Sequence, residues 1–190
     1  MQEMMRRLCI AGLVFIFGIG FASGTSTGVQ TPFPQFLDLS IARIALLEPA
    51  STTRRLGAAP HLDHEALGFS YYRYRNATGS QAITLIGHPG DIRFSIAEVQ
   101  ISRRRADDVL PAFPNGVRDF VSGKGIKLGL SRAQVLEILG PPTAEIRSSI
   151  ECRAEGHAAI LSNFSMPSYV GTYHFEQGLL TEFRFGFPYP

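Results

Sequence analysis

The chain has 190 residues, 18 basic against 16 acidic, a net charge of +2 and 45% hydrophobic residues. That balance excludes electrostatically driven capture of nucleic acid or of an anionic membrane surface, and the apolar content excludes a wholly disordered chain. Two cysteines, Cys9 and Cys152, exclude a disulfide-dense scaffold.

The chain opens with Arg6-Arg7, then the apolar and small-residue run Leu8 to Phe21, then Ala22-Ser23-Gly24. A basic start, a short apolar middle and a small-residue end are the three parts of a secretory signal, so residues 1–24 are expected to be a cleaved leader. The run is shorter than the roughly 20 residues that span a bilayer core. An uncleaved inner-membrane anchor over residues 8–21 is the alternative. Cys9 stands at the beginning of the run, not at its end, which argues against lipidation there. Residues 1–24 hold Arg6, Arg7 and Glu3, so the remainder carries a net charge near +1. It retains only Cys152, which reads as a small buried hydrophobe, and no internal disulfide can form. Residues 25–35 are small, polar and proline-containing, and are expected to be a flexible lead-in.

From there the pattern predicts an α+β fold. Residues 36–105 hold a helical segment ending at Arg54-Arg-Leu56-Gly57-Ala-Ala-Pro60. The strand-like runs Phe69–Arg75, Ala82–Ile86 and Ile96–Ile101 follow. Tyr72 and Tyr74 share one face of the first run; Tyr71, Arg73 and Arg75 share the other. His61-Leu-Asp-His64-Glu65 has metal-like residue types but lacks helical i, i+4 spacing, and reads as a solvated loop. His88, in Gly-His-Pro-Gly, reads as part of a turn. Arg103-Arg-Arg105 precedes Asp107 and Asp108, which predicts local neutralisation. Residues 106–116 read as a linker.

Residues 117–190 hold the clearest helix. Ser131 can cap Arg132–Leu139, Val135, Leu136, Ile138 and Leu139 give the apolar stripe, and Gly140-Pro-Pro142 stops it. A hairpin follows, with Tyr169, Gly171, Tyr173 and Phe175 on one parity, a turn at Glu176-Gln177-Gly178, and Leu179, Thr181, Phe183, Phe185 and Phe187 on the return. His174, Glu182 and Arg184 fall on the polar face, and Phe183 and Phe185 are expected to face the helix. Leu56-Gly57 resembles Leu139-Gly140, and Ile96–Ile101 resembles Leu180–Phe185, at offsets of about 83 residues. The expectation is a duplication: two units, each a helix packed on an antiparallel sheet; a single α+β domain with chance similarity is the alternative.

Gly125-Ile-Lys-Leu-Gly-Leu-Ser131, Val135, Leu139-Gly-Pro-Pro142 and Tyr173-His-Phe-Glu-Gln-Gly-Leu-Leu180 carry a resemblance. The pattern is similar to a superfamily of small envelope proteins. It includes the outer-membrane assembly lipoproteins (SmpA/OmlA-like) and the tandem-repeat β-lactamase inhibitor protein-like (BLIP-like) group. The match is best over residues 123–187. The resemblance implies two BLIP-like units in tandem, helices on one face of the sheet, and a concave sheet surface that grips another protein. The inhibitor's disulfides and the lipoprotein's modified cysteine have no counterpart in this sequence, so neither specific function is carried over.

The one Gly-x-Ser-x-Gly string, Gly24-Thr-Ser-Thr-Gly28, falls at the end of the leader and not between a strand and a helix, so it is no nucleophile elbow, and no phosphate-binding glycine loop precedes a helix. The expected function is therefore non-enzymatic, with no cofactor and no metal. The chain is read as an exported periplasmic or secreted protein that binds another envelope or secreted protein. It makes no use of nucleic acid and touches a membrane only through an uncleaved leader. The candidate partner-binding residues are Tyr72, Tyr74, Glu98, Gln100, His174, Glu182 and Arg184. The alternative is a carrier of a small apolar or lipid ligand, suggested by the 14 phenylalanines.

Overall fold

The structure, a computed structural model, describes residues 34–90, 94–155 and 168–189. The leader, the 8–21 anchor alternative and residues 25–33 of the lead-in lie outside the described residues. Everything described falls in one compact unit, Pro32–Pro190. Among the described residues no helix is long and apolar enough to cross a membrane.

The fold is α+β with mostly antiparallel sheet. A two-stranded hairpin, β1 (Ser40–Ile41) and β2 (Ile44–Ala45), precedes helix α1 (Pro49–Leu56). Then come β3 (His64–Ala66), β4 (Phe69–Arg75), β5 (Gln81–Gly87) and β6 (Glu98–Arg103). Helix α2 (Arg132–Leu139) is followed by β7 (Ala144–Ile146), β8 (Ser149–Glu155), β9 (Ser168–Glu176) and β10 (Leu179–Gly186). A helix followed by four strands thus occurs twice. The eight later strands form one sheet in the order β3-β4-β5-β6-β10-β9-β8-β7, so β6 and β10 meet at its middle.

Local chemistry explains the element ends. Ser131 Oγ accepts from the Gln134 N–H and Gln134 Oε1 accepts from the Ser131 N–H, a reciprocal cap that satisfies two free donors of α2. Pro49 opens α1 where a missing N–H costs nothing, and Arg54 and Arg55 lie at its negative end. The β9–β10 turn places Gln177 and Gly178 at positive φ, as tight hairpins demand. The return strand departs from simple alternation. A register irregularity between Leu180 and Glu182 makes Leu180 the buried residue and leaves Leu179 44% exposed, so the predicted parity holds only from Phe183 onward. The His61–Glu65 segment is likewise not all loop, because His64–Ala66 pairs with Phe69–Tyr71 as β3.

One face of the sheet is the core. Register aligns Tyr74, Ile83, Ile101, Phe183, Tyr173 and Ile150 across six strands, and Tyr72, Leu85, Val99, Phe185, Gly171 and Cys152 in the next row. All the large side chains here are buried, together with Leu56 of α1 and Val135 and Leu139 of α2. Cys152 is a free thiol in this layer, and burial pushes its pKa up to about 11. It is therefore a packing residue and not a nucleophile at neutral pH.

Segments cross between the two halves. Residues 38–42 pair with residues 121–124: Ala42 N–H donates to the Val121 carbonyl at 3.2 Å and Gly123 N–H to the Ser40 carbonyl at 2.9 Å. Buried Asp38 accepts from the N–H groups of Ser40 and Lys124, and Tyr169 Oη bonds the Asp38 backbone at both N–H and C=O. Conversely, residues 106–116 run along the first half. Arg75 N–H donates to the Pro111 carbonyl and Phe113 N–H to the Arg75 carbonyl, while Phe113 packs edge-on against Tyr74. The expected linker is thus an integral edge of the structure.

Two outcomes follow. Gly186 sits at φ +140° in the central seam, where an added Cβ would collide with the Ala97 carbonyl oxygen and lie 2.7 Å from Glu98 Cα. Gly186→Ala is expected to lower unfolding stability by about 2–3 kcal/mol, read by urea denaturation. Burial holds the Asp38 carboxyl above its ordinary value, against the opposing hydrogen bonds. The folded chain therefore binds more protons than the unfolded one from about pH 4 up to the raised value, and this group's contribution is lost as pH rises. The stability of the native chain relative to Asp38→Asn should be greatest near pH 4 and decline toward pH 7; a pH-independent difference would contradict it.

Candidate functional site

Strand alternation puts the polar partners of the core rows on the opposite face. Register places Arg73, Thr84, Gln100, Arg184, Thr172 and Glu151 in one row, and Arg75, Ala82, Ser102, Glu182, His174 and Ser149 in the next. At about 4.8 Å per strand, each row of six strands is about 24 Å wide. Over the β3–β6 side of this face lies a groove of about 600 Å³ whose lining includes Arg73, Thr84, Gln100, Ser102, Thr181 and Glu182.

Two polar contacts tie the halves together across the β6–β10 seam. Gln100 Nε2 donates to Glu182 Oε1 at 2.8 Å. Arg184 donates through Nε (2.9 Å) and a terminal nitrogen to Glu98 Oε2. Glu98 is buried, whereas the Arg184 side chain is 47% exposed. The second Glu98 oxygen lies 3.9 Å from His88 Nε2, which is buried without a hydrogen-bond partner. His88 itself is walled by Phe69 and Tyr189, both edge-on. Of the expected binding residues, Gln100, His174, Glu182 and Arg184 thus share the open face, and Glu98 lies beneath Arg184 on that side.

Tyr72 and Tyr74 do not belong to it. They are 5% and 4% exposed, on the core face. Tyr74 Oη accepts from the His61 N–H at 3.0 Å, so a buried hydroxyl is satisfied by a loop backbone. The residues that occupy the open face instead are Arg73, Thr84, Ser102, Thr172 and Glu151. The Arg73 alternation with Tyr72 and Tyr74 was readable in sequence. Thr84 and Thr172 each stand alone among apolar neighbours and carry no such signal.

Ser149, His174 and Glu182 stand in one register row, the residue types of an acyl-transfer relay. They are not joined as one: His174 makes no side-chain hydrogen bond among the described residues, and Glu182 is taken by Gln100. His64 bonds Asp63 at 2.7 Å and stacks on Tyr71 at 4.5 Å. Among the described residues no group of three or more His, Cys, Asp or Glu is placed to hold a metal ion. In the arginine run, Arg104 donates to the carbonyls of Gly79 and Asp108, and the Asp108 carboxylate pairs with Arg73 at 3.3 Å. Phenylalanine rings pack on one another, Phe113 on Phe120 at 5.4 Å and Phe183 on Phe185 at 6.2 Å. Comparison with protein-family models, curated proteins and solved structures returned no match.

Removing the Arg184 guanidinium leaves Glu98 buried against unpartnered His88. Because Arg184 is half exposed, water can partly replace it, and Arg184→Ala is expected to cost about 1–3 kcal/mol. Arg184→Ala combined with Glu98→Leu should recover most of the loss in the same urea unfolding measurement.

Proposed function

We propose that this chain is an exported, non-enzymatic protein that grips another envelope or secreted protein across the open face of its sheet. The observation that carries the reading is the pair of polar rows, backed by a core that gathers residues of both helices on the other side. A face that is hydrogen-bonded internally at its seam, yet still presents His174, Arg184, Thr172 and Glu151, offers directional contacts without a buried reaction centre. Arginine beside an accessible groove is the type of residue that dominates binding energy at protein interfaces. The twofold occurrence of a helix and four strands supports two BLIP-like units, fused at β6 and β10, with both helices on one side. The basic, apolar and small-residue leader supports export to the periplasm or beyond.

The test is site-specific photocrosslinking in the native envelope. A crosslinking residue at His174 or Thr172 should give one discrete adduct, and one at exposed Glu137, on helix α2 of the core side, should give none. Gln100→Ala with Glu182→Ala should weaken capture at least tenfold while leaving the circular dichroism spectrum unchanged. Equal adducts from all three positions would overturn the placement.

A further inference from the structure

A second concavity, with no residue in common with the open-face groove, lies where the β1–β2 hairpin, α1 and residues 115–123 converge. Its volume is about 590 Å³, and its lining includes Ser40, Arg43, Arg55, Asn115, Asp119 and Ser122. Two arginines therefore face one cavity. Neither makes an ion pair or a side-chain hydrogen bond among the described residues, and Arg55 Nε is buried with no hydrogen-bond partner. Asp119 does not serve them: its Oδ1 accepts from Gln81 Nε2 at 3.2 Å. Asp38, behind Gly123, is already satisfied by the Ser40 and Lys124 N–H groups.

The two guanidiniums are held there by the fold. Arg55 stacks over the Phe113 ring at 5.2 Å, which fixes its plane. Arg43 occupies the second central position of a two-residue hairpin turn, with Ala42 at φ +48° and Arg43 at φ +70°. Hairpins of this kind favour Asn-Gly, so two ordinary L residues here are a strained choice. Burial and the nearby Arg43 both depress the Arg55 pKa, as expected of like charges without an intervening anion. An orphaned donor on a partly buried cation is costly unless something accepts from it.

We infer that this cavity is an anion site, with Arg43 and Arg55 clamping a tetrahedral oxyanion of the phosphate or sulfate class, free or carried on a larger molecule. Two planar guanidinium forks in one lining match the donor demand of such an oxyanion, and the hydroxyl of Ser40 and the amide of Asn115 supply further donors there. The cavity exceeds the size of a bare phosphate, which leaves room for a ligand body beyond it.

The full chain is melted in phosphate and in chloride at equal ionic strength. At a hundredfold excess over its dissociation constant, phosphate should raise the melting midpoint by about 5–10 °C more than chloride does. Arg43→Gln removes a charge from an exposed turn. Its midpoint without phosphate should be unchanged or higher, because a repulsion is relieved, and its phosphate-specific shift should vanish. Arg55→Lys keeps the charge but loses the fork, and should weaken binding at least tenfold by phosphorus NMR line broadening on the folded variant. Flotation with vesicles containing phosphatidic acid, lost in Arg43→Gln, would assign the anion to a lipid headgroup; phosphate binding without flotation would assign it to a soluble ligand. A chloride shift equal to the phosphate shift, or a full phosphate shift in Arg43→Gln, would overturn the site.

Discussion

Where Ile101 meets Phe183 and Val99 meets Phe185, strands separated by some 80 residues of sequence become one sheet, and the rest of the molecule takes its position from that seam. On the core side the seam supplies four fully buried side chains, the centre of an apolar layer running from Tyr74 to Ile150. On the other side it brings Gln100 to Glu182 and Glu98 to Arg184. A single pairing register thus fixes both the hydrophobic rows and the polar ones, because a one-residue slip would exchange the two faces. Gly186 marks how close the backbones come there.

With Cys152 as the only thiol of the described residues, the two described halves are held together by segments that cross between them. The β1–β2 segment lies beside residues 121–124, and residues 111–113 lie beside β4. Asp38 and Tyr169 form a knot of backbone and side-chain hydrogen bonds at one crossing; Gln81 with Asp119 and the Phe120 N–H forms another. Each buries polar groups that would be costly if left unmade, so the crossings specify the arrangement as well as stabilise it.

Much of this was legible in the sequence, for local reasons. Ser131, Gln134 and Gly140 announce α2 because capping is a contact between near neighbours. The Tyr/Arg alternation of β4 and the His174 to Arg184 hairpin follow from period two. What sequence reading missed lay in longer-range geometry. The irregularity at Thr181 depends on pairing with β9. The choice between the two faces of β4 depends on which one meets Ile83 and Ile101, so Tyr72 and Tyr74, plausible as surface aromatics, are core. The pairing of Arg43 with Arg55 was invisible, since their turn and helix come together only in the folded chain. Lack of a local signal likewise hid the integration of residues 106–116.

Of the sheet's two middle strands, β10 comes last in chain order among the described strands, and this gives the sheet a direction in time. At roughly 5–20 residues per second of synthesis, β6 waits about 4–15 s after emerging before β10 follows it. Throughout that interval Val99 and Ile101 stand on an unpaired edge, open to any other strand. The chain can reach its native sheet only once β10 is out, so a holding factor has a defined window and a defined target: the bare flank of β6.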